Sequence, residues 1–231
     1  MANQCFWYLE NINLMPMMDG KKLMSSQDKM VHRKFKKGES IYVPEDSADR
    51  IYFIREGRVK IGNYSGGGKE ITKIILGEGE VFGELALIGK TKRRDFAVAL
   101  DDVLVCIMTV EEMKSMMKSY NGLSMFIMNM MGSRVVEMEQ RLESMVFKDS
   151  KTRIIEYLIQ MVDKKGQRVG YEMLVRRFLT HQEIANLTAT SRQTVTTVLN
   201  DLRNRNILTF NRRRLLVRDM DLLKAEAQVI S

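Results

Sequence analysis

The amino-acid sequence predicts an α+β protein that has a glycine-rich β domain, then a long helix, then a winged helix-turn-helix. Ten of the 15 glycines fall between Gly38 and Gly89, among short β-branched and aromatic runs. An apolar heptad pattern follows, and after it come two short amphipathic segments separated by a polar turn. We therefore divide the chain into residues 1–109, a helical lead-in and β domain; residues 110–147, the long helix; and residues 148–231, the winged helix-turn-helix domain.

The β domain is predicted from five short runs with turn residues between them. The runs are residues 40–43, 50–54, 58–61, 71–76 and 97–107. Short strands at such intervals are typical of an antiparallel barrel or sandwich. We interpret Gly66, Gly67 and Gly68 as a hairpin tip. A phosphate loop would need a helix after the glycines and a P-loop lysine, and the sequence offers neither.

The long helix carries a seam of six apolar residues at heptad spacing, which are Met128, Met131, Val135, Met138, Leu142 and Met145. Three consecutive a/d pairs predict a coiled coil between two copies of the chain. The alternative is a helix packed on its own barrel. Residues 147–150 break the pattern, and Asp149 or Ser150 can cap the next helix, so this short link is the predicted hinge.

The stretch THQEIANLTATSRQTVTTVLNDLRNR, residues 180–205, predicts the two helices of a helix-turn-helix. Thr180 with Glu183, and Thr190 with Gln193, each have the spacing of a capping box. The second helix, residues 192–203, has an apolar stripe at Val195, Val198, Leu199 and Leu202. Its other side carries amides, hydroxyls and guanidinium groups, which are the groups that bind base edges in the major groove.

A basic hairpin follows the second helix directly. Residues 208–210 and 215–217 are predicted strands, and Arg212, Arg213 and Arg214 lie at the turn between them. A wing placed beside a DNA-contacting helix is suited to binding phosphate. Residues 148–231 contain 16 Lys and Arg against 9 Asp and Glu, an excess of 7 out of the chain's net charge of +8. The excess charge therefore lies in the segment predicted to bind a polyanion.

Other features limit the class of protein. The sequence has no apolar run of 18 residues and no basic region followed by an apolar core near its start, so we expect neither a membrane span nor a secretory signal. Cys5 and Cys106 are far apart and form no metal or redox pair. No arrangement of catalytic residues or metal ligands is evident. We expect a cytoplasmic protein that is not an enzyme and holds no metal.

Two motifs resemble the cyclic-AMP receptor protein/FNR superfamily of bacterial transcription regulators. The first is FGELALI at residues 82–88, which is similar to the phosphate-binding cassette and is followed by Arg93 and Arg94. The second is the helix-turn-helix pair QEIA and SRQTV, at residues 182–185 and 191–195. The resemblance covers about residues 35–217. It implies that the β domain is a cyclic-nucleotide-binding-like β-roll and that residues 110–147 are a dimerisation helix.

The resemblance implies an effector site at the cassette, formed by Gly83, Glu84, Leu85, Arg94 and Asp95. Members that bind cyclic nucleotides use the glutamate for the ribose hydroxyl and an arginine ten residues later for the phosphate, a guanidinium fork that suits this anion. The carboxylate of Asp95 would repel the phosphate. An internal ion-pair network of Glu84, Arg94 and Asp95 is the alternative to a ligand site.

The positions that contact adenine in such members fall on Met138 and Glu139 here, and neither side chain reproduces those hydrogen bonds. We therefore expect cyclic AMP to be a poor ligand. An iron–sulfur cluster needs four cysteines, and haem needs an axial histidine near the cassette. His32 precedes the first strand and Cys106 lies in an apolar run, so neither sensor type is expected.

For DNA contact the resemblance implies Arg192 together with Gln193 and Thr197, with Thr196 on the flank of the same face. Arginine pairs with guanine and glutamine with adenine. Ser191, Thr194 and His181 are further candidates, all for phosphate. The sequence thus indicates a homodimeric regulator that binds inverted-repeat double-stranded DNA, with RNA polymerase as an expected partner. The alternative is a small-molecule sensor that acts through protein contacts and has a degenerate DNA domain.

Overall fold

The structure is a computed structural model that describes residues 31–68 and 70–228. The described residues form two compact units, which divide between Arg134 and Val135. The predicted helical lead-in and Cys5 lie outside the described residues. Strands and helices occur in both units, so the predicted α+β class is confirmed.

The described part of the first unit contains eight strands, which are β1 (Val31–Phe35), β2 (Ser40–Tyr42), β3 (Arg50–Glu56), β4 (Val59–Tyr64), β5 (Glu70–Leu76), β6 (Val81–Phe82), β7 (Phe96–Ala99) and β8 (Val103–Thr109). They form two antiparallel four-stranded sheets with the orders β1-β8-β3-β6 and β2-β7-β4-β5. The described glycines 66–68 lie between the paired strands β4 and β5, so the predicted hairpin tip is confirmed.

Strand β3 is buried on both of its faces, which explains its unbroken apolar sequence. Tyr52 and Ile54 belong to the core inside the roll, together with Phe82. Ile51 and Phe53 face the other way and pack in a second core with helical residues. Because side chains alternate along a strand, one strand serves both cores. Cys106 is buried in the second core, as expected for a small apolar residue.

The predicted helix over residues 110–147 is wrong in one respect, because the chain forms two helices there. Helix α1 (Val110–Ser119) ends at Tyr120, which is extended with φ −138°, and helix α2 (Asn121–Phe147) begins at the next residue. Buried residues from both helices, Met113, Met116, Leu123 and Ile127, pack against the same sheet core. The break thus allows two short apolar faces to contact one sheet.

The second unit combines helices with a four-stranded sheet. Asp149 caps helix α3 (Ser150–Lys165) by accepting a hydrogen bond from the Thr152 amide at 2.8 Å. Strands β9 (Gln167–Val169), β10 (Glu172–Arg176), β11 (Leu208–Phe210) and β12 (Arg214–Val217) form a sheet of order β11-β12-β10-β9. The two wing strands are confirmed, whereas β9 and β10 were not predicted. Helices α4 (His181–Thr188), α5 (Arg192–Asn204) and α6 (Met220–Gln228) complete this unit.

Helix α6 is fixed to the domain by the carboxylate of Glu226. Two guanidinium nitrogens of Arg205 donate to it at 2.7 and 2.5 Å, and Lys151 Nζ donates at 3.2 Å. The hydrogen bonds from Arg205 are the main reason that the pKa of Glu226 falls to about 2 from the ordinary 4.5. One carboxylate therefore joins helices α3 and α6 to the residue that follows α5.

We expect Glu226→Gln to lower the free energy of unfolding at pH 7 by about 1–3 kcal/mol, because charge-assisted hydrogen bonds are removed. The folded-state pKa lies below the unfolded one, so this stabilisation is complete above pH 4.5 and disappears as the pH falls toward 2. Urea unfolding of both proteins across this range measures it. Glu143→Gln, at an exposed position, is the control. If the difference in unfolding free energy between the wild type and Glu226→Gln stays constant down to pH 2, the stabilisation does not come from the ionised carboxylate of Glu226.

Candidate nucleic-acid interface and effector cassette

The two helices of the helix-turn-helix begin at hydroxyl caps. Thr180 and Glu183 form the predicted capping box, with Thr180 Oγ1 accepting from the Glu183 amide at 3.2 Å. The second predicted box is wrong, because Ser191 rather than Thr190 caps α5. The Thr190 amide instead donates to Ala185 O at 2.9 Å. This bond belongs to a Schellman-type end of α4, so Thr190 is part of the turn.

Helix α5 separates an apolar face from a polar one, as predicted. The stripe is completely buried and consists of Val195, Val198, Leu199 and Leu202. The exposed side presents Arg192, Gln193 and Thr197 near the start of the helix and Arg203 and Asn204 near its end. Burial of one face fixes the rotation of the helix, so this set of donors and acceptors points outward as a unit.

Thr196 and His181 lie at a junction inside the domain. The Thr196 hydroxyl donates to Arg192 O at 2.9 Å, and its oxygen lies 2.8 Å from His181 Nδ1. The His181 ring also meets the edge of Phe210 on β11, with a centroid distance of 5.5 Å. Burial, and then the charge of Arg192, lower the pKa of His181, so the ring is neutral at neutral pH. These two side chains connect α4, α5 and the wing.

The predicted phosphate anchors near the start of α5 are held by local hydrogen bonds. Ser191 Oγ accepts from the Thr194 amide at 3.0 Å and lies 2.8 Å from Thr194 Oγ1. Ser191 stays exposed and Thr194 is half-buried. Their roles as phosphate ligands remain predictions.

The wing presents three exposed arginines, Arg212, Arg213 and Arg214. Asn211 Oδ1 shapes the turn by accepting from the amides of Arg213 and Arg214 at 2.8 and 2.9 Å. A guanidinium of α5 packs on the wing, since Arg203 lies 5.3 Å from the centre of the Phe210 ring. The wing and the exposed side of α5 are therefore parts of one surface.

Sequence reasoning missed two further arginines beside the wing. Arg176 is the direct cross-strand partner of Arg214 in the β10–β12 pair, and Arg177 follows it with φ +55°. Both are exposed. Like charges opposite each other destabilise a sheet, and an anionic ligand would relieve this. Only the pairing of β10 with the wing, a long-range contact, brings Arg176 next to Arg214.

The cassette forms a short 3₁₀ helix over Glu84–Ile88, and Gly83 precedes it with φ +79°. The carboxylate of Glu84 is mostly buried and forms an ion pair with Arg134 Nη1 of helix α2 at 2.7 Å. Arg134 also donates to Val81 O. The predicted ribose-binding carboxylate is thus already bonded to a guanidinium of the same unit.

The arginine that packs against the cassette is Arg93 rather than Arg94, and a contact of Arg94 with an effector remains a prediction. Arg93 is buried, donates to Gly83 O at 3.1 Å and to Arg50 O at 2.5 Å, and stacks on Tyr42 at 4.6 Å. Arg94 points to solvent and makes no hydrogen bond or ion pair with any residue in the described ranges. Adjacent residues that lead into a strand point to opposite sides. A shift of one position in the assignment therefore exchanges the buried residue for the exposed one.

The predicted network of Glu84, Arg94 and Asp95 is also wrong. Asp95 pairs with Lys73 Nζ of strand β5 at 2.5 Å, while Glu84 pairs with Arg134. The anion-repelling charge of Asp95 is therefore partly compensated by a neighbouring strand. Leu85 is exposed in the 3₁₀ helix. Met138 and Glu139 are exposed residues of the second unit, and their contact with an effector remains a prediction.

Helix α2 carries an uncovered apolar stripe. Five of the six seam residues, Met128, Val135, Met138, Leu142 and Met145, are between 38% and 69% exposed. Met131 is half-buried against the sheet core, which Leu123 and Ile127 also join. The first turns of α2 therefore pack on their own roll, while most of the seam remains available for a partner.

Among residues 31–68 and 70–228 there is no group of three or more His, Cys, Asp or Glu side chains that could hold a metal. Within the same ranges no helix is both long and apolar enough to cross a membrane.

Comparisons with known proteins agree with this architecture. The cyclic nucleotide-binding domain family matches residues 32–120, and the Crp-like helix-turn-helix domain family matches residues 152–226. The global nitrogen regulator of Nostoc sp. (strain PCC 7120) is 30% identical over 185 residues, covering 79% of this chain and 83% of that protein. The CRP-like cAMP-activated global transcriptional regulator of Mycobacterium tuberculosis is 27% identical, covering 84% and 87%.

Among solved structures, a CooA mutant from Carboxydothermus hydrogenoformans is similar with a TM-score of 0.76 and 25% identity, covering 87% of this chain and 88% of that one. FixK2 from Bradyrhizobium japonicum shares the fold, with a TM-score of 0.75 and 19% identity, covering 85% and 96%.

A β-roll with a phosphate-binding-type cassette and a winged helix-turn-helix define the class of effector-modulated, DNA-binding transcription regulators. Regulators of this class bind DNA and act as dimers. The chain belongs to the CRP/FNR family.

Proposed function

We propose that this regulator binds an inverted-repeat operator through helix α5, with Arg192, Gln193 and Thr197 contacting base edges. The observation that carries the proposal is the exposed amide, hydroxyl and guanidinium face directly opposite a completely buried stripe. Arg212, Arg213 and Arg214 bind the phosphate backbone, and Arg176 and Arg177 extend the same basic surface. Such contacts position the protein, while the base contacts specify the sequence.

The second part of the proposal is that the α2 seam forms the homodimer. Its exposed apolar residues need a partner, and a second copy supplies an identical seam. Two α5 helices related by the dimer axis then contact half-sites roughly 34 Å apart, one turn of DNA. On this basis residues 1–109 form the sensory domain, residues 110–147 hold the dimerisation helix, and residues 148–231 bind DNA.

Selection of bound sequences from random double-stranded DNA tests the proposal. We expect an enriched inverted repeat whose half-sites lie one helical turn apart. Enrichment of a single unrepeated motif would contradict the dimeric arrangement, and absence of enrichment would contradict sequence-specific binding. The comparisons give no support to the alternative, a sensor with a degenerate DNA domain.

We propose that the cassette responds to an effector other than cyclic AMP. Glu84 is held by Arg134, and the guanidinium of Arg93 donates to two backbone carbonyls. To bind a cyclic nucleotide, Glu84 and Arg93 would have to exchange these bonds for bonds to the ligand. The Asp95 carboxylate would also repel the phosphate of the ligand. We also propose a cytoplasmic location, regulation without catalysis and RNA polymerase as a partner, and the regulatory role of the family supports these three proposals.

We therefore expect titration calorimetry to show no saturable binding of cyclic AMP or cyclic GMP at micromolar concentrations. Arg93→Met provides the control, because it removes the buried guanidinium from the cassette. If either nucleotide binds at micromolar concentration and Arg93→Met abolishes this binding, the effector of the cassette is a cyclic nucleotide. Binding that the substitution leaves unchanged would lie outside the cassette.

A further inference from the structure

Two arginine side chains that are not part of the polar face of α5 donate hydrogen bonds at the turn of the helix-turn-helix. Arg141 of helix α2 donates from Nη2 to Asn186 O at 3.3 Å. Arg153 of helix α3 donates from Nε to Thr188 O at 3.0 Å and from Nη2 to Ala189 O at 3.2 Å. All three acceptors are backbone carbonyls at the end of helix α4.

Arg153 also contacts the short link between helices α2 and α3. Its Nη1 donates to Lys148 O at 2.9 Å, and its Nη2 lies 3.3 Å from Ser150 Oγ. One guanidinium thus joins the residue that follows α2 to the turn that precedes α5. The planar fork of arginine can bind several carbonyls at fixed angles, which the single ammonium of lysine cannot do.

The electrostatics favour this arrangement. Carbonyls at the end of a helix lack partners within the helix and carry partial negative charge, so they attract cations. The end of α4 receives two guanidinium groups, and Arg153 binds the carbonyl after the end of α2 as well. The guanidinium of Arg141 is half-buried, and this burial lowers its pKa. The interaction is therefore screened less by water than an ion pair on the surface.

The placement of Arg141 gives these contacts a consequence for DNA binding. Arg141 directly precedes Leu142 of the seam, and both lie in the part of α2 that belongs to the second unit. The turn that the two arginines hold leads directly to Ser191, the cap of helix α5. Seam and recognition helix are thus linked by side chains that need not touch DNA.

We propose that Arg141 and Arg153 are positioning residues that set the distance between the dimer seam and helix α5, and thereby the spacing of the two DNA half-sites. The inference rests on the proposed function, since it requires a dimer with its axis along the seam. It assigns the specificity for spacer length to two residues that belong neither to the polar face of α5 nor to the wing.

The experiment measures affinity for four duplexes by fluorescence anisotropy. Three carry the selected inverted repeat with its own spacer, one base pair fewer or one more, and the fourth carries a single half-site. The proteins are the wild type, Arg141→Met, Arg153→Met and Arg153→Lys. Lys164→Met is the matched control, because it removes the exposed ion pair with Glu137 that also joins α3 to α2.

We expect Arg141→Met and Arg153→Met to reduce the preference for the original spacer by about tenfold, within the usual range of coupling between sites. Half-site affinity should be unchanged. Arg153→Lys should behave like Arg153→Met, and Lys164→Met like the wild type. A retained spacer preference would overturn the inference, and so would an equal loss on the half-site, which a destabilised domain would produce. Failure of the wild type to select an inverted repeat would instead overturn the proposed function.

Discussion

The double variant V135E/L142E is expected to be monomeric and to lose operator binding. Both residues are exposed in the single chain, at 53% and 64%, and lie at the same heptad position of the α2 seam. In a dimer each glutamate would meet an identical charge in an apolar interface. Burying an unpaired charge costs about 3–5 kcal/mol, which corresponds to a dissociation constant at least about 100-fold higher. The monomeric variant then no longer binds the two half-sites of the operator at the same time.

Sedimentation velocity measures the assembly, and anisotropy measures binding to the operator. Val136→Glu is the matched control, because Val136 adjoins Val135 and is 50% exposed but lies off the seam. It should remain dimeric and bind DNA. If the wild type sediments as a monomer at micromolar concentration, the seam is not a dimer interface. Dissociation by Val136→Glu to the same extent would place the contact on another face of α2.

Arg192→Ala is expected to weaken operator binding by about 1–3 kcal/mol per half-site and to relax the preference at one base. Arg192 is exposed in the first turn of α5, where a side chain can enter the major groove. Its backbone carbonyl accepts from Thr196, so the substitution leaves that hydrogen bond in place. The loss should therefore be confined to readout of the sequence.

Replacing Arg212, Arg213 and Arg214 by alanine should act differently. Affinity should fall for all sequences alike, and the slope of log affinity against log salt should decrease by about 0.9 for each phosphate that no longer binds an arginine. Titrations on matched and base-substituted duplexes at several salt concentrations separate the two cases. Lys165→Ala, an exposed charge at the end of α3, is the control.

Two outcomes of these titrations would require revision. If Arg192→Ala lowers affinity equally for every base, Arg192 binds phosphate and α5 is oriented differently in the groove. If neither the Arg192 variant nor the wing variant changes affinity, DNA binds through another surface.

The sequence by itself determined the features that depend on residues close together in the chain. The Thr180–Glu183 capping box and the buried stripe of α5 follow from spacings of three and four residues, and the helix geometry leaves them little freedom. The wing strands around the arginine turn have the same local origin. The heptad seam predicts exposed apolar residues on α2, which the structure contains.

The tertiary structure decided what depends on contacts between distant segments. The choice of Arg93 over Arg94 depends on the carbonyls of Arg50 and Gly83, and the partner of Glu84 comes from helix α2. Strand β10 places Arg176 beside the wing, although Arg176 lies 38 positions before its partner Arg214 in the chain. The N-cap of α5 is Ser191 and not the predicted Thr190, because the Thr190 amide donates a hydrogen bond at the end of α4. A local sequence pattern shows which polar groups are present. The partner of each buried polar group depends on which distant segments pack against it.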